Sequence, residues 1–183
     1  EVTRKLRKDI VYINKELEET KHKNIKLMNE SMMDELTETF NRRGISYHYN
    51  DMLKKIEAKT HFITIYMIDI DYFKAYNDSL GHLEGDMSLR KVAKVLKNIP
   101  SSEYFVGRFG GEEFVVIAKT SDKKNAMDLA EYMRNTVESL DLKYIFKDQK
   151  KSLTISIGAY MMDENVEELM QIIDRADQAL YEA

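Results

Sequence analysis

Asp69 is the first position whose surroundings suggest chemistry. In the stretch His61–Ile70 (HFITIYMIDI), strand alternation places Asp69 on the same face as Ile63, Ile65 and Met67. An ionised carboxylate at the end of an apolar stripe is costly unless a cation or several donors meet it. Asp71 lies two residues on and points the same way while the strand lasts. Paired carboxylates at a strand end suit a hard, oxygen-liganded ion such as Mg²⁺; capping the next helix is the other use open to Asp71. A second constellation is Arg108-Phe109-Gly110-Gly111-Glu112-Glu113-Phe114. A diglycine hairpin tip lets backbone approach a ligand closely and sets two acids beyond the turn, one expected to reach the site and the other to support it. Taken alone, a solvated hairpin tip with ordinary surface glutamates accounts better for that stretch. The third constellation follows Asp71: Tyr72-Phe73-Lys74-Ala75-Tyr76-Asn77-Asp78, then Gly81-His82 and Gly85-Asp86. A strand running into a helix start offers free N–H groups to an anion, and Lys74 adds positive charge in the first turn. Asn77 and Asp86 present an amide and a carboxylate to a nucleobase edge. A carboxylate matches the adjacent N1–H and exocyclic amine of guanine and repels the N1 acceptor of adenine. His82 reads as a loop or packing residue.

These groups need a scaffold, and the chain reads as an α/β alternation from Met33 onward. Asn41–Lys59 is expected to be helical, with Ile45, Tyr49, Met52, Leu53 and Ile56 on one side. His61–Ile70 is apolar on both faces, as a central covered strand must be. A short helix from Tyr72, a glycine-containing loop and a long helix from Gly85 to Asn98 come next, and Pro100 closes that helix. Glu103–Phe109 and Glu112–Lys119 read as strands joined by Gly110-Gly111 in a two-residue turn. Asp122–Leu140 is expected as a helix, Lys143–Phe146 and Leu153–Tyr160 as strands, and Val166–Tyr181 as a closing helix. Residues 1 to 33 differ. Leu6, Ile10, Ile13, Leu17, Thr20, Asn24 and Leu27 recur in alternating steps of four and three, the spacing of a coiled-coil seam, with Asn24 as a polar register-setter. A single amphipathic helix folded onto its own domain is the other reading.

Composition narrows the classes. The chain has 183 residues, 43% hydrophobic and 33% charged, enough to bury a core and too little bias for disorder. A net charge of −4 argues against a general nucleic-acid binder. No apolar run reaches the ~18–20 residues of a membrane span. The absence of cysteine excludes disulfides, thiolate metal sites and cysteine nucleophiles, and fits a cytoplasmic setting. The first residue is Glu1 rather than Met, so the sequence is expected to be a piece of a longer chain, with an upstream sensor or anchor outside it.

In order along the chain, Asp34-Glu35-Leu36-Thr37 with Asn41-Arg42-Arg43, Asp69-Ile70-Asp71-Tyr72-Phe73-Lys74, Asn77-Asp78, Gly81-His82 with Gly85-Asp86, Arg108 to Phe114, Ser156-Ile157-Gly158 and Ala176-Asp177-Gln178-Ala179-Leu180-Tyr181 resemble the GGDEF family of diguanylate cyclases, here with a Gly-Gly-Glu-Glu-Phe signature. The resemblance covers residues 34–183 and leaves 1–33 as a helical stalk. It implies an α+β fold: a palm-like, mostly antiparallel sheet flanked by helices, similar to class III nucleotidyl cyclases. It implies condensation of two GTP molecules into cyclic di-GMP with release of two pyrophosphates, by two catalytic domains that face each other. Asp69 and Glu112, with the carbonyl of Ile70, would ligate Mg²⁺ or Mn²⁺, two ions per site, with Glu113 as a further ligand or support. Glu112 would also deprotonate the attacking 3′-hydroxyl. Lys74 and the Tyr72–Phe73 backbone would hold the β and γ phosphates, and Asn77 and Asp86 would read guanine. The partners implied are GTP and a second copy of the chain, with no nucleic acid and no membrane contact within this stretch.

The chain also departs from the family's pattern. Ser101 and Tyr104 stand where many members carry the Arg and Asp of a product-binding motif, and Tyr132 replaces a partner arginine, so product feedback through that site is expected to be absent. Basic residues that follow the Ala-Leu-Tyr helix in relatives and help hold the triphosphate are not in this sequence, which ends at Ala183. Other readings are a degenerate member that binds GTP and only signals, a nucleotidyl cyclase that closes a different ring, and a coiled-coil dimerisation protein with an α/β scaffold.

Overall fold

The computed structural model describes residues 12–21, 23, 31–55, 62–162 and 167–182. At its centre is β1 (Phe62–Ile70), whose β-branched and aromatic residues are covered on both faces. It pairs antiparallel with β3 (Glu113–Thr120) on one side and β6 (Ile155–Met161) on the other; β2 (Tyr104–Gly110) pairs with β3. The sheet order is therefore β2-β3-β1-β6, antiparallel throughout. This is the expected palm-like α+β architecture.

Alternation along β1 divides the core into two layers. Tyr66, Ile68 and Ile70 pack with Leu89, Val92 and Leu96 of α3 (His82–Leu96) and Met133 and Val137 of α4 (Lys123–Glu138). Ile63, Ile65 and Met67 pack with Ile45, Tyr49 and Met52 of α1 (Arg42–Lys55) and Ile172 and Ala176 of α5 (Leu169–Tyr181). Because both sets are apolar, the fit of each set into its own layer, rather than the amount of apolar surface buried, holds the register of the central strand: a slip of one residue would exchange the two sets. Gly158 lets α5 lie directly on β6: a Cβ there would stand 2.1 Å from the Ala176 carbonyl oxygen and 2.2 Å from the Leu180 nitrogen.

The lead-in to the domain is tied down. The Asn41 side-chain oxygen accepts from the N–H groups of Arg43 and Gly44, capping α1, while its amide donates to the carbonyls of Ser31 and Met33. Phe40 runs parallel to the outer edge of β2, donating to the Val106 carbonyl at 3.0 Å and accepting from the Arg108 N–H at 2.7 Å. Helix α1 begins within a residue of expectation; of the expected continuation to Lys59, residues 56–61 lie outside the described residues.

Three expectations are corrected. A short strand β5 (Gln149–Ser152) pairs with β4 (Lys143–Phe146) as a separate hairpin. Its sequence, QKKS, has no apolar alternation to read; backbone pairing and a turn with Lys147 and Asp148 at φ 50° and 60° hold it. The β2–β3 turn is Gly111-Glu112 rather than Gly110-Gly111, since a bulge between Arg108 and Gly110 moves the tip by one residue, and only Gly111 takes positive φ (49°). Helix α3 starts at His82, not Gly85. Gly81, at φ 89° and ψ 157°, turns the chain in one residue while its N–H closes α2 (Phe73–Leu80) on the Asn77 carbonyl at 2.7 Å.

Residues 12–21 are helical, and the seam positions Ile13 and Leu17 are 60% and 49% exposed, so this helix does not bury its stripe against its own domain. Leu6, Ile10, Asn24 and Leu27 lie outside the described residues. Among the described residues no helix is long and apolar enough to cross a membrane.

Candidate active site

The end of β1 carries the acids. Asp69 pairs across the sheet with Ser156. Burial first, then the charges of Glu112, Glu113, Asp71 and Asp177, push its carboxyl up from 3.8 to about 6. Glu113 is raised too, by burial and then by Asp177 and Glu112, with Arg42 opposing. Carboxyls from β1, the hairpin tip and α5 therefore crowd one region and leave it short of positive charge. Asp71 does not cap the next helix. Its two oxygens accept from the hydroxyls of Thr154 (2.6 Å) and Ser156 (2.7 Å), and its N–H donates to the Thr154 carbonyl. Among the described residues no three His, Asp or Glu side chains converge as a complete metal cage. The donor set still fits Mg²⁺, which is usually held by one or two carboxylates plus substrate phosphate and water rather than by protein alone.

The hairpin tip is clamped from below. Arg108 donates Nε (2.9 Å) and Nη2 (2.7 Å) to the Gly111 carbonyl, and its Nη1 lies 3.3 Å from both oxygens of Asp34. Asp34 also accepts from the backbone and hydroxyl of Thr37. These bonds outweigh the effect of burial and hold the Asp34 carboxyl below its ordinary value. Arg42 lies 4.3 Å over the Phe109 ring and donates Nε to the Phe109 carbonyl.

After Asp71 the chain makes an unusual turn. Tyr72 adopts the left-handed conformation (φ 54°, ψ 32°) immediately before the right-handed α2. Successive residues of opposite hand turn their N–H groups toward one point, an anion-binding nest, here at a helix N-terminus with Lys74 in its first turn. Beyond it lies a cavity of about 480 Å³. Phe73, Lys74, Asn77, Asp86 and Glu112, expected at the site from sequence, all line it. Asp69, Ile70, Tyr72 and Glu113 are not in its lining; Asp69 and Glu113 connect to it through the field of Glu112. The Asn77 side-chain oxygen is buried and has no hydrogen-bond partner. It sits so close to Gly85 that a Cβ there would be 1.8 Å away. A buried acceptor left without a donor is costly, which marks a place for a ligand N–H.

Other residues line the cavity as well: Asp78 and Arg108, which stand in the constellations above without a role of their own, His82, expected as a loop or packing residue, and Leu89, which gave no signal. His82 and Asp86 are one helical turn apart, a spacing that would have paired them had α3 been started at His82. Asp177 stands in the closing Ala-Asp-Gln-Ala-Leu-Tyr motif but with no site role, and Thr154 gave no signal, since what each does depends on α5 and the start of β6 lying beside the end of β1. At the departures from the family pattern, Tyr104 donates its hydroxyl to the Lys97 carbonyl at 2.5 Å and Ser101 its hydroxyl to the Glu103 carbonyl at 3.5 Å.

Residues 31–183 match the family described as "Diguanylate cyclase, GGDEF domain". Diguanylate cyclase A of Treponema denticola is 41% identical over 126 residues, 68% of this chain and 33% of that protein. Diguanylate cyclase VdcA of Vibrio cholerae is 36% identical over 169 residues, 92% of this chain and 48% of its own length. The chain thus spans a third to a half of these curated relatives. Among solved structures, the coiled coil and GGDEF domain of DgcB from Caulobacter crescentus, in complex with c-di-GMP, superposes with a TM-score of 0.76 at 27% identity, over 96% of this chain and 92% of that one. Diguanylate cyclase SiaD from Pseudomonas aeruginosa, in complex with its activator SiaC, gives 0.74 at 26% identity, over 98% and 68%.

Proposed function

Since the chain belongs to the GGDEF family of diguanylate cyclase domains, we propose that it condenses two GTP molecules into cyclic di-GMP and two pyrophosphates, acting as a pair of facing catalytic domains. The observation that carries this reading is the partnerless Asn77 oxygen in a cavity shared by Asp86, Lys74 and Glu112. Asp86 accepts from N1–H of guanine and, with Asn77, from the exocyclic amine. Phe73 and Leu89 offer apolar contact beside the base. Lys74 and the N–H groups at Tyr72–Phe73 hold the β and γ phosphates. Asp69, Glu112 and Glu113, with the Ile70 carbonyl, would hold Mg²⁺ or Mn²⁺, two ions per site, which when bound polarise the phosphate and neutralise the leaving group. Glu112 takes the proton of the 3′-hydroxyl from the opposing nucleotide; that oxygen forms the new bond to the α-phosphorus, and the bond to pyrophosphate breaks. Done once in each direction, this closes the ring. The protein's part is positioning and electrostatics, and no protein nucleophile is required.

Two half-sites must meet, and the 1–33 stalk is the device for it, ahead of the catalytic domain at 34–183. The exposed Ile13 and Leu17 stripe supports pairing with a second copy, which raises the effective concentration of the two domains. The test is incubation with GTP and Mg²⁺ followed by mass spectrometry. Cyclic di-GMP is expected; cyclic GMP or a mixed dinucleotide would indicate a different cyclase, and unchanged GTP a signalling module. Glu112→Gln should abolish turnover while leaving the unfolding free energy within about 1 kcal/mol of the parent; near-normal turnover refutes its role.

A further inference from the structure

The left-handed turn at Tyr72 needs a physical cause, because a bulky side chain pays for φ 54° while glycine does not. What opposes relaxation comes from the β4–β5 hairpin, distant in sequence and outside the acidic cluster. The Phe146 ring lies 5.3 Å from the Tyr72 ring at an interplanar angle of 33°, and the Lys147 ammonium stands 5.2 Å from the Phe146 ring. The hairpin grips the rest of α2 as well. Tyr144 packs 5.4 Å from Tyr76, and the Ile145 N–H donates to the Ser79 hydroxyl at 3.1 Å. Tyr72 is 65% exposed, so burial does not hold its ring; the Phe146 face is the ring contact it makes.

We propose that Phe146 is a positioning residue for GTP, its ring holding Tyr72 in the left-handed conformation that aims the phosphate-binding N–H groups. The inference rests on Tyr72–Phe73 being the phosphate end of the nucleotide site. Phe146 does not line the cavity; it acts on the backbone through Tyr72. The base-reading residues Asn77 and Asp86 lie farther along α2 and on α3, so the stack governs one end of the ligand and not the other.

Affinity is therefore measured with two probes on the full chain: 3′-deoxy-GTP, which lacks the attacking hydroxyl and stays unreacted, and guanosine, which has no phosphate. Phe146→Leu keeps apolar bulk without the flat face. It should weaken 3′-deoxy-GTP about three- to tenfold, the worth of an aromatic pair, raise KM for GTP similarly, and leave guanosine affinity unchanged. Phe146→Tyr should restore both values. Tyr72→Gly added to Phe146→Leu should recover much of the loss, because glycine adopts positive φ without a brace. Unchanged 3′-deoxy-GTP affinity in Phe146→Leu overturns the inference. So does an equal loss for both probes, which would signify general loosening. A parent protein that binds guanosine as tightly as 3′-deoxy-GTP overturns the phosphate-end reading and the inference with it, whereas a parent that discriminates, with an indifferent Phe146→Leu, sinks the inference alone.

Discussion

Asp69→Asn should make the metal-free protein more stable at neutral pH. In the folded state the Asp69 carboxyl is raised from 3.8 to about 6 by burial and by neighbouring acids. Between those values the folded chain holds a proton that the unfolded chain has released, so stability falls as pH rises from about 4 to about 6 and stays at the lower level above. Each pH unit is worth about 1.4 kcal/mol, which gives about 3 kcal/mol before screening. The side chain is partly solvated, and a discount to roughly 1–2 kcal/mol is appropriate. Asparagine is nearly the same shape and cannot ionise, so it avoids this loss. In EDTA at pH 7.5 the variant should melt roughly 2–8 °C above the parent. The gap should close below about pH 4, where the carboxyl is neutral in both states. Mg²⁺ should narrow it by stabilising the parent more than the variant, which keeps Glu112 and Glu113 but lacks one ligand, while turnover is lost in the variant. A parent and variant with parallel stability profiles from pH 4 to 7 in EDTA would refute the crowding of carboxyls at this site.

Gly85→Ala should displace Asn77, whose oxygen occupies the place of the new methyl, and raise KM for GTP about tenfold or more with a smaller change in kcat; guanosine titration checks it. Gly158→Ala forces α5 away from β6 and should cost about 3 kcal/mol or more in urea unfolding. Asp34 has a lowered carboxyl, so its contribution to stability is present above the ordinary carboxylate value and fades as pH falls below it. Asp34→Asn should accordingly be less stable than the parent at pH 7 and approach it in acid, as followed by denaturation at several pH values.

The central strand and its acid were legible because apolar density on both faces of HFITIYMIDI suits a doubly covered strand and little else, and alternation then fixes the side on which Asp69 falls. The ordered motifs identified the family; of the residues they single out, Phe73, Lys74, Asn77, Asp86 and Glu112 line one cavity, while Asp69, Ile70, Tyr72 and Glu113 stand outside its lining. What escaped notice depends on geometry without apolar periodicity. A bulge moved the hairpin tip by one residue. One glycine at positive φ compressed a loop and brought His82 into the cavity. The hydroxyls holding Asp71 come from more than eighty residues away, a separation that no local pattern records.

The strip of chain around Phe40 has a consequence for handling this molecule. By bonding to Val106 and Arg108 it occupies the outer side of β2, where the sheet would otherwise present bare amides and carbonyls. A shortened version beginning at Asn41 would retain the six described strands yet acquire an adhesive border, open to strand donation from other molecules and to clumping at high concentration. Those few residues serve as the hem of the sheet, and any trimming of the leading helix should stop ahead of them.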